Sequence, residues 1–202
     1  GDVVVPVVSD GIYALDEFVA ATLLALGVTP VAAEPVYGNV PLNSVLAAEG
    51  VDLADPGSIE QVAAADPAAI VSLELEPDVM EQYRDVAPSV FLSFTDSWTV
   101  HVDALAALTG QEAQAAALFD AVDVRTAELA AEIADAGLGG SEVSVLLKSN
   151  FDGTFFAFAS NSLPGRLIAE LGLTRSERQQ EEVEFGSSPI SEENLAEEVD
   201  AD

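Results

Sequence analysis

The stretch QEAQAAALFDAVDVRTAELAAEIADA, residues 111–136, decides the fold class of this chain. Its larger apolar residues recur at helical spacing and form one stripe: Leu118, Phe119, Val122, Leu129 and Ile133. Glycines 137, 139 and 140 end the pattern, so one helix of about 39 Å is predicted at 1.5 Å per residue. Helical signals already begin near Trp98, with Gly110 as the single interruption. Such a helix between two sheet-forming regions predicts a rigid spacer that joins two lobes.

The region before the helix alternates strand and helix signals. Apolar, β-branched runs predict strands over Val3–Val8, Val28–Ala33, Ala69–Leu75 and Ser89–Phe94. Helices are predicted over Tyr13–Leu26, Ile59–Ala65 and Asp78–Val86, with Ser58 as the cap of the second one. The proline- and glycine-rich stretch Glu34–Asn43 predicts a loop. Strands separated by helices of this length predict parallel βαβ units.

Strand signals return after the long helix. Val143–Leu147 and Thr154–Ala159 are predicted strands on either side of a turn at Asn150–Gly153. Leu163–Leu171 and Glu192–Glu198 are predicted helices, and Thr174–Ser188 is predicted to be irregular. Two strands are too few for a stable lobe, so we expect further strands after Asp202 and regard the second lobe as incomplete.

The predicted fold is therefore α/β, with two Rossmann-like lobes that have parallel sheets and are joined by a long α-helix. The predicted domains are an N-terminal α/β lobe over residues 1–96, a connecting helical segment over 97–140 and a partial C-terminal α/β lobe over 141–202.

The charge of the chain excludes several functions. Thirty-six acidic against six basic residues give a formal net charge of −30. Such a surface repels nucleic acid, which is bound by neutralising phosphates with Lys and Arg. It also opposes adhesion to anionic lipids. The mean hydropathy is +0.31, yet no apolar run approaches the roughly 18 residues that span a bilayer.

No motif in the sequence indicates catalysis, so the chain is predicted not to be an enzyme. It lacks the GxxxxGK[ST] phosphate loop, a GxGxxG turn after a strand and the GxSxG nucleophile elbow. With no cysteine there is no thiolate metal site, and His101, the only histidine, is predicted to lie at the surface of a helix. The acidic clusters do not match the EF-hand pattern, so no catalytic residue, protein-bound metal or cofactor is predicted.

Four segments of the chain carry a resemblance: LLALGVTPV at Leu23–Val31, SIEQVAAADPAAIV at Ser58–Val71, SLPGRLIAELGL at Ser162–Leu173 and ISEENLAEEVDAD at Ile190–Asp202. Taken in this order, they resemble the class III, helical-backbone substrate-binding proteins of ABC importers for siderophores, haem and cobalamin. In that family one long helix bridges two α/β lobes, and the ligand lies in the cleft between them. The resemblance implies a periplasmic or cell-surface protein that captures a ferric siderophore and delivers it to a permease.

The resemblance also implies two permease-docking carboxylates, one on each lobe. By motif position they are Glu60 in SIEQV and Glu193 in SEENL, with Glu192 as the alternative to Glu193. Both lie just after a serine at a predicted helix start, where the helix dipole favours a carboxylate. Ordinary helix capping therefore explains the same residues without any docking role.

The ligand cleft is expected at the carboxyl ends of the strands. Five residues suited to a chelate fall in the loops there: Tyr13, Tyr37, Trp98, Asn150 and Arg166. Trp98 could instead cover the sheet, and Arg166 could form a surface salt bridge. An anionic chelate would need such scarce positive charge in a protein of net charge −30.

Three alternatives remain at this level: a haem- or cobalamin-binding protein of the same fold, a flavodoxin-like enzyme, and a recognition module unrelated to transport. Iron is expected only inside the bound chelate. No targeting segment is visible before Gly1, so an exported protein would have lost it, and a lipid anchor is expected outside residues 1–202.

Overall fold

The structure, a computed structural model, describes residues 7–34, 40–54, 57–93, 96–149 and 153–195. The chain divides into two compact units, Gly1–Leu118 and Phe119–Asp202. None of the described helices is long and apolar enough to cross a membrane.

The first unit is built on a parallel sheet. Its five strands are β1 (Ile12–Ala14), β2 (Ala32–Ala33), β3 (Asp52–Leu53), β4 (Ala69–Leu73) and β5 (Ser89–Leu92). They pair in the order β3-β2-β1-β4-β5, and every pair is parallel. The helices of the unit are α1 (Glu17–Ala25), α2 (Val40–Ala48), α3 (Ile59–Ala64), α4 (Pro77–Arg84) and α5 (Trp98–Thr109). This confirms the predicted parallel α/β arrangement of the first lobe.

The core of this unit lies on both faces of the central strand. All three residues of β1 are completely buried, as expected for a parallel sheet covered on both sides. Tyr13 pairs with Ala32 of β2 and Ile70 of β4. Its side chain packs with Val62 of α3 and Tyr83 of α4 in one hydrophobic cluster. The tyrosine predicted to lie in a loop is thus part of the core.

The first strand and helix differ from the prediction. Val7 and Val8 belong to no strand, residues 3–6 lie outside the described residues, and β1 begins only after Gly11. The predicted helix from Tyr13 in fact starts at Glu17. Gly11 has φ +73°, and a Cβ there would lie 3.1 Å from Ala68 Cβ. The chain therefore turns tightly against the start of β4, and pairing with β4 places the strand at Ile12–Ala14.

The loop predicted over Glu34–Asn43 is shorter than expected. Residues 35–39 lie outside the described residues, and α2 begins at Val40. The following two-residue strand β3 was also not predicted. It has no apolar run of its own, and its pairing with Ala32 and Ala33 of β2 defines it.

The second unit contains most of the long helix and a small sheet. Helix α6 covers Glu112–Asp135, 24 residues, which confirms the predicted long helix. The strands are β6 (Leu146–Lys148), β7 (Phe155–Phe158) and β8 (Ser187–Ile190), with α7 (Leu163–Glu170) and a short 3-10 helix (Glu177–Gln180) before β8. Strand β8 lies at the end of the stretch predicted to be irregular.

The sheet of the second unit was predicted to be parallel, and this prediction is wrong. Both of its pairs, β6 with β7 and β7 with β8, are antiparallel. The connection between β6 and β7 is too short for the crossover that parallel strands require, whereas a hairpin accommodates it. Parallel pairing within the described residues of this unit is limited to one isolated bridge, Glu142 with Thr174.

The surface of α6 is more exposed than its sequence suggests. Ala115 is its only buried residue among those described, and Val122 of the predicted stripe is 37% exposed. Gly110, with φ +70°, ends α5 and allows the change of direction before α6.

Candidate functional site

The strand order defines where the first unit can bind a ligand. From β1 the chain continues to β2 and β3 on one side, then crosses to β4 and β5 on the other. The topological switch point therefore lies between the carboxyl ends of β1 and β4. Open α/β sheets bind ligands at such a point.

Asp16 occupies this switch point, two residues after β1. Its Oδ1 accepts a hydrogen bond of 2.9 Å from Val19 N–H and so caps α1. Its Oδ2 accepts a hydrogen bond of 2.7 Å from Leu73 N–H, at the end of β4. The half-buried carboxylate thus ties the first helix to the neighbouring strand, and both of its oxygens are in use.

Glu34 lies next to it, directly after β2. Its Oε1 accepts a hydrogen bond of 2.9 Å from Gly57 N–H, which lies just before α3. Burial raises the pKa of Glu34, the Gly57 hydrogen bond opposes this, and the negative charge of Asp16 raises the pKa further. Two interacting carboxylates therefore stand at the carboxyl ends of adjacent strands.

Several carboxylates lie at this edge of the first unit. Glu74 and Glu76 follow β4 and are exposed. Arg84 is the only Lys or Arg in residues 1–118. It ends α4, where its guanidinium is 2.9 Å from Glu81 and 5.2 Å from the centroid of the Phe91 ring. The field at the switch point favours neutral or cationic ligands.

The side chain of Tyr13, on the central strand β1, is completely buried in the hydrophobic core. Burial, followed by the charge of Glu34 and by Tyr83, raises the pKa of Tyr13 to about 12. Its hydroxyl is buried and has no hydrogen-bond partner among the described residues. The side chain borders a cavity of about 340 Å³ that is also lined by Ala32, Asp52 and Gln61. Tyr13 is completely buried, and its predicted ligand contact stays a prediction.

Trp98 and His101 lie at the start of α5, after the end of β5. Trp98 is the first residue of the helix and is half-buried behind the Ser97 cap. His101 is only 6% exposed, so the prediction of a surface position is wrong. Its Nε2 donates a 2.8 Å hydrogen bond to the Ser93 carbonyl, and its ring stands edge-on to Phe18 at 5.4 Å. These two contacts of His101 therefore hold the start of α5, where Trp98 lies, against Ser93 and Phe18.

The predicted basic ligand-binding residue lies in the second unit. Arg166 is in the first turn of α7, exposed, and donates a 3.0 Å hydrogen bond to the Asn161 carbonyl. No described carboxylate lies within ion-pair distance of it, so the alternative of a surface salt bridge finds no support in this part of the chain. Lys148 ends β6 and lies over the Phe155 ring at 5.3 Å.

The remaining predicted site residues divide into two groups. Tyr37 and Asn150 lie outside the described residues. Glu60 is exposed at the second position of α3, and the Ser58 hydroxyl caps that helix by accepting from Gln61 N–H at 3.4 Å, as predicted. Glu193 is exposed in a turn after Ser191. Both docking candidates are accessible, and the docking role itself stays a prediction.

Sequence reasoning missed Asp16 and Glu34, the two carboxylates at the switch point. The predicted helix from Tyr13 placed Asp16 inside it, although Asp before an apolar run is an ordinary N-cap signal. Glu34 has no such local signal, because its neighbours Asp16 and Gly57 are brought to it only by the fold. No group of three or more His, Asp or Glu side chains in the described ranges is placed to hold a metal ion.

Comparison with known proteins identifies the architecture. The sequence profile of a family described as "Periplasmic binding protein" matches residues 12–202. No curated protein sequence gives a significant match.

Solved structures share the fold at low sequence identity. FhuD2 of Staphylococcus aureus with bound ferrioxamine B is 23% identical, with a TM-score of 0.78 over 94% of this chain and 74% of that one. The Fe3+–Desferal-bound siderophore-binding protein FhuD of Vibrio cholerae is 23% identical, with a TM-score of 0.74 over 95% and 77%. A Bacillus subtilis protein described as the binding component of a Fep/Fec-like ferrichrome ABC transporter is 21% identical, with a TM-score of 0.79 over 100% and 75%.

Proposed function

Because the chain belongs to the periplasmic binding protein family, we propose that it captures a ferric siderophore and delivers it to the permease of an ABC importer. The observation that carries the proposal is the family match over residues 12–202, on a parallel sheet with an accessible switch point. The ligands named for the similar structures, ferrioxamine B and Fe3+–Desferal, support the ligand class.

The family implies an extracytoplasmic location and a role in substrate binding rather than catalysis. We further propose that a lipid anchor outside residues 1–202 tethers the protein beside its permease. The acidic surface fits this arrangement, since attraction to anionic lipid headgroups would not hold a protein of net charge −30 at a membrane.

The negative charge at the switch point restricts the net charge that we expect of the proposed ligand. Asp16 and Glu34 interact there, and Arg84, the only basic residue in 1–118, is paired with Glu81. A polyanionic chelate would be repelled by the carboxylates of the switch point. We therefore expect a neutral or cationic ferric trihydroxamate to bind better than a ferric polycarboxylate.

Trp98 provides the test of this proposal. It is the only tryptophan, and it is the first residue of α5, the helix that follows β5 in the chain. Titration with a ferric trihydroxamate should quench its fluorescence with a submicromolar midpoint, because an absorbing iron chelate would lie nearby. Calorimetric titration of the Trp98→Phe variant supplies a binding readout that does not need the fluorophore.

Haemin, cobalamin and the iron-free trihydroxamate are the comparison ligands. Tight binding of haemin or cobalamin with none of the siderophore would move the assignment to those ligands. Failure of all four ligands to bind, by fluorescence and by calorimetry, would refute the proposed function.

A further inference from the structure

Glu34 connects the switch point of the first unit to the start of helix α3. Its Oε1 accepts a 2.9 Å hydrogen bond from the N–H of Gly57, 23 residues further along the chain. Gly57 directly precedes Ser58, the cap of α3, and Glu60 follows in the first turn of that helix. One carboxylate oxygen therefore holds the backbone that leads into α3, the helix with the proposed docking residue.

The body of α3 and its start are held in different ways. Val62, in the middle of the helix, is completely buried in the hydrophobic cluster of the first unit. Gly57 is exposed, and the Ser58 hydroxyl accepts the N–H of Gln61 at 3.4 Å, which is long for such a bond. The shorter hydrogen bond from Gly57 to Glu34 is therefore the stronger of these two contacts at the start of the helix.

The second oxygen of Glu34 is available to a ligand. Both oxygens of Asp16 accept hydrogen bonds, whereas Glu34 Oε2 makes none to a described residue. This atom is also not among the fully buried, unpartnered polar atoms of the described residues, so solvent reaches it. Burial raises the pKa of Glu34, and the charge of Asp16 raises it further, so the two carboxylates are close enough to repel each other. A cation bound at Oε2 relieves this repulsion.

We propose that Glu34 binds the protonated amine of a cationic chelate through Oε2 and, through Oε1, fixes the start of α3 when this ligand is bound. A carboxylate held at both oxygens has less freedom to leave Gly57, so ligand binding and the hydrogen bond reinforce each other. The loaded protein then presents Glu60 on a more ordered helix start than the empty protein does. The inference rests on the proposed function, because it requires a chelate at the switch point.

Hydrogen exchange of the Gly57 amide, followed by 1H–15N NMR, tests this coupling. The first ligand is ferrioxamine B with diamagnetic gallium(III) in place of iron, which carries one protonated amine. The second ligand is the same complex with its amine acetylated and therefore neutral. We expect the cationic complex to slow exchange at Gly57 at least about fivefold more than the neutral one, the lower end of typical coupling between two sites. The amide of Ile70, in the buried core of the same unit, measures the global stabilisation by each ligand.

Glu34→Gln should remove the difference between the two complexes at Gly57, while it keeps an acceptor for the Gly57 N–H. Asp78→Asn is the matched control, because it removes one negative charge at an exposed position of α4, and it should retain the difference. A residue with a purely structural role would not make exchange at Gly57 depend on the charge of the ligand. Equal exchange with both complexes, or faster exchange with the cationic one, would overturn the inference.

Calorimetric titration of the same two complexes separates this inference from the proposed function. Binding of both complexes without a difference at Gly57 overturns the inference alone. Absence of binding by either complex counts against the proposed trihydroxamate ligand and overturns the inference with it.

Discussion

At the scale of single residues, Asp16 accepts the hydrogen bond of the candidate site that joins the residues furthest apart in the sequence. It caps α1 and accepts the amide of Leu73, 57 residues further along the chain. Asp16→Ala should lower the free energy of unfolding by about 2 kcal/mol, because it removes a cap and leaves a partly buried N–H without a partner. Urea denaturation at neutral pH measures the loss.

Asp10→Ala is the matched control, because it removes one aspartate charge from an exposed loop of the same unit. A loss of similar size in both variants would contradict a specific role of Asp16. Asp16→Asn should recover part of the stability, since the amide oxygen can accept one of the two hydrogen bonds.

Glu34 predicts a pH dependence with a definite sign. Burial raises its folded-state pKa above the ordinary value of 4.5. Between those two values the folded state binds more protons than the unfolded state, so ionisation of Glu34 lowers stability as pH rises. Glu34→Gln removes this penalty and keeps an acceptor for Gly57. The stability of the variant relative to the unmodified protein should therefore increase from pH 4 to pH 7.

The comparison needs a variant with the same change in net charge. Glu60→Gln removes one negative charge at an exposed helix start and reports the general effect of a less acidic surface. Urea midpoints of the three proteins across this pH range give the answer. Identical pH profiles for the two variants would show that burial of Glu34 is not the cause.

At the scale of elements, α7 packs so closely against the residues after β7 that we expect replacement of Gly165 to destabilise the protein. Gly165→Ala would normally favour a helix by about 1 kcal/mol. Here the added Cβ would meet the Ala159 carbonyl and lie 2.8 Å from the Ser160 carbonyl. We expect a net destabilisation of about 1–3 kcal/mol, as for other overpacked positions, measured by urea denaturation.

Gly139→Ala is the control within the same unit. The nearest atom to its added Cβ is 3.9 Å away, and its backbone is not in the left-handed region. This substitution should be nearly neutral. A neutral Gly165→Ala would mean that α7 can move away from β7.

At the scale of the whole molecule, the net charge of −30 should make stability depend on salt. Like charges repel in the compact state, and the Debye length falls from about 10 Å at 0.1 M to about 3 Å at 1 M. We expect the urea midpoint to rise between these two concentrations of sodium chloride. A midpoint that stays constant or falls would show that the carboxylates are spaced too widely to destabilise the fold.

The proposed docking to a permease is also a property of the whole molecule. Glu60→Arg and Glu193→Arg should leave chelate affinity unchanged and reduce uptake, with a larger loss when both are changed, since like charges across an interface are costly. Asp78→Arg is a matched control, because Asp78 is exposed at the second position of α4 as Glu60 is in α3. Equal loss of uptake in the control would show that general acidity, rather than these two residues, directs docking.

Elements with local signals could be predicted from the amino-acid sequence. The long helix α6, the Ser58 cap of α3 and the buried run of β4 each follow from apolar periodicity or from a capping residue within a few positions. The α/β class followed from their alternation. Such signals suffice where neighbours in the chain are also the interacting partners.

Contacts between residues far apart in the sequence could not be predicted in this way and are seen only in the folded chain. The placement of β1 depends on its pairing with β4, and the buried positions of Tyr13 and His101 depend on elements far along the chain. The antiparallel sheet of the second unit required β8, whose sequence has no strand signal. The bond of Asp16 to Leu73 and the bond of Glu34 to Gly57 arise in the same way. Their hydrogen bonds and burial come from residues that no local pattern brings together, so the candidate sites were visible only in the folded chain.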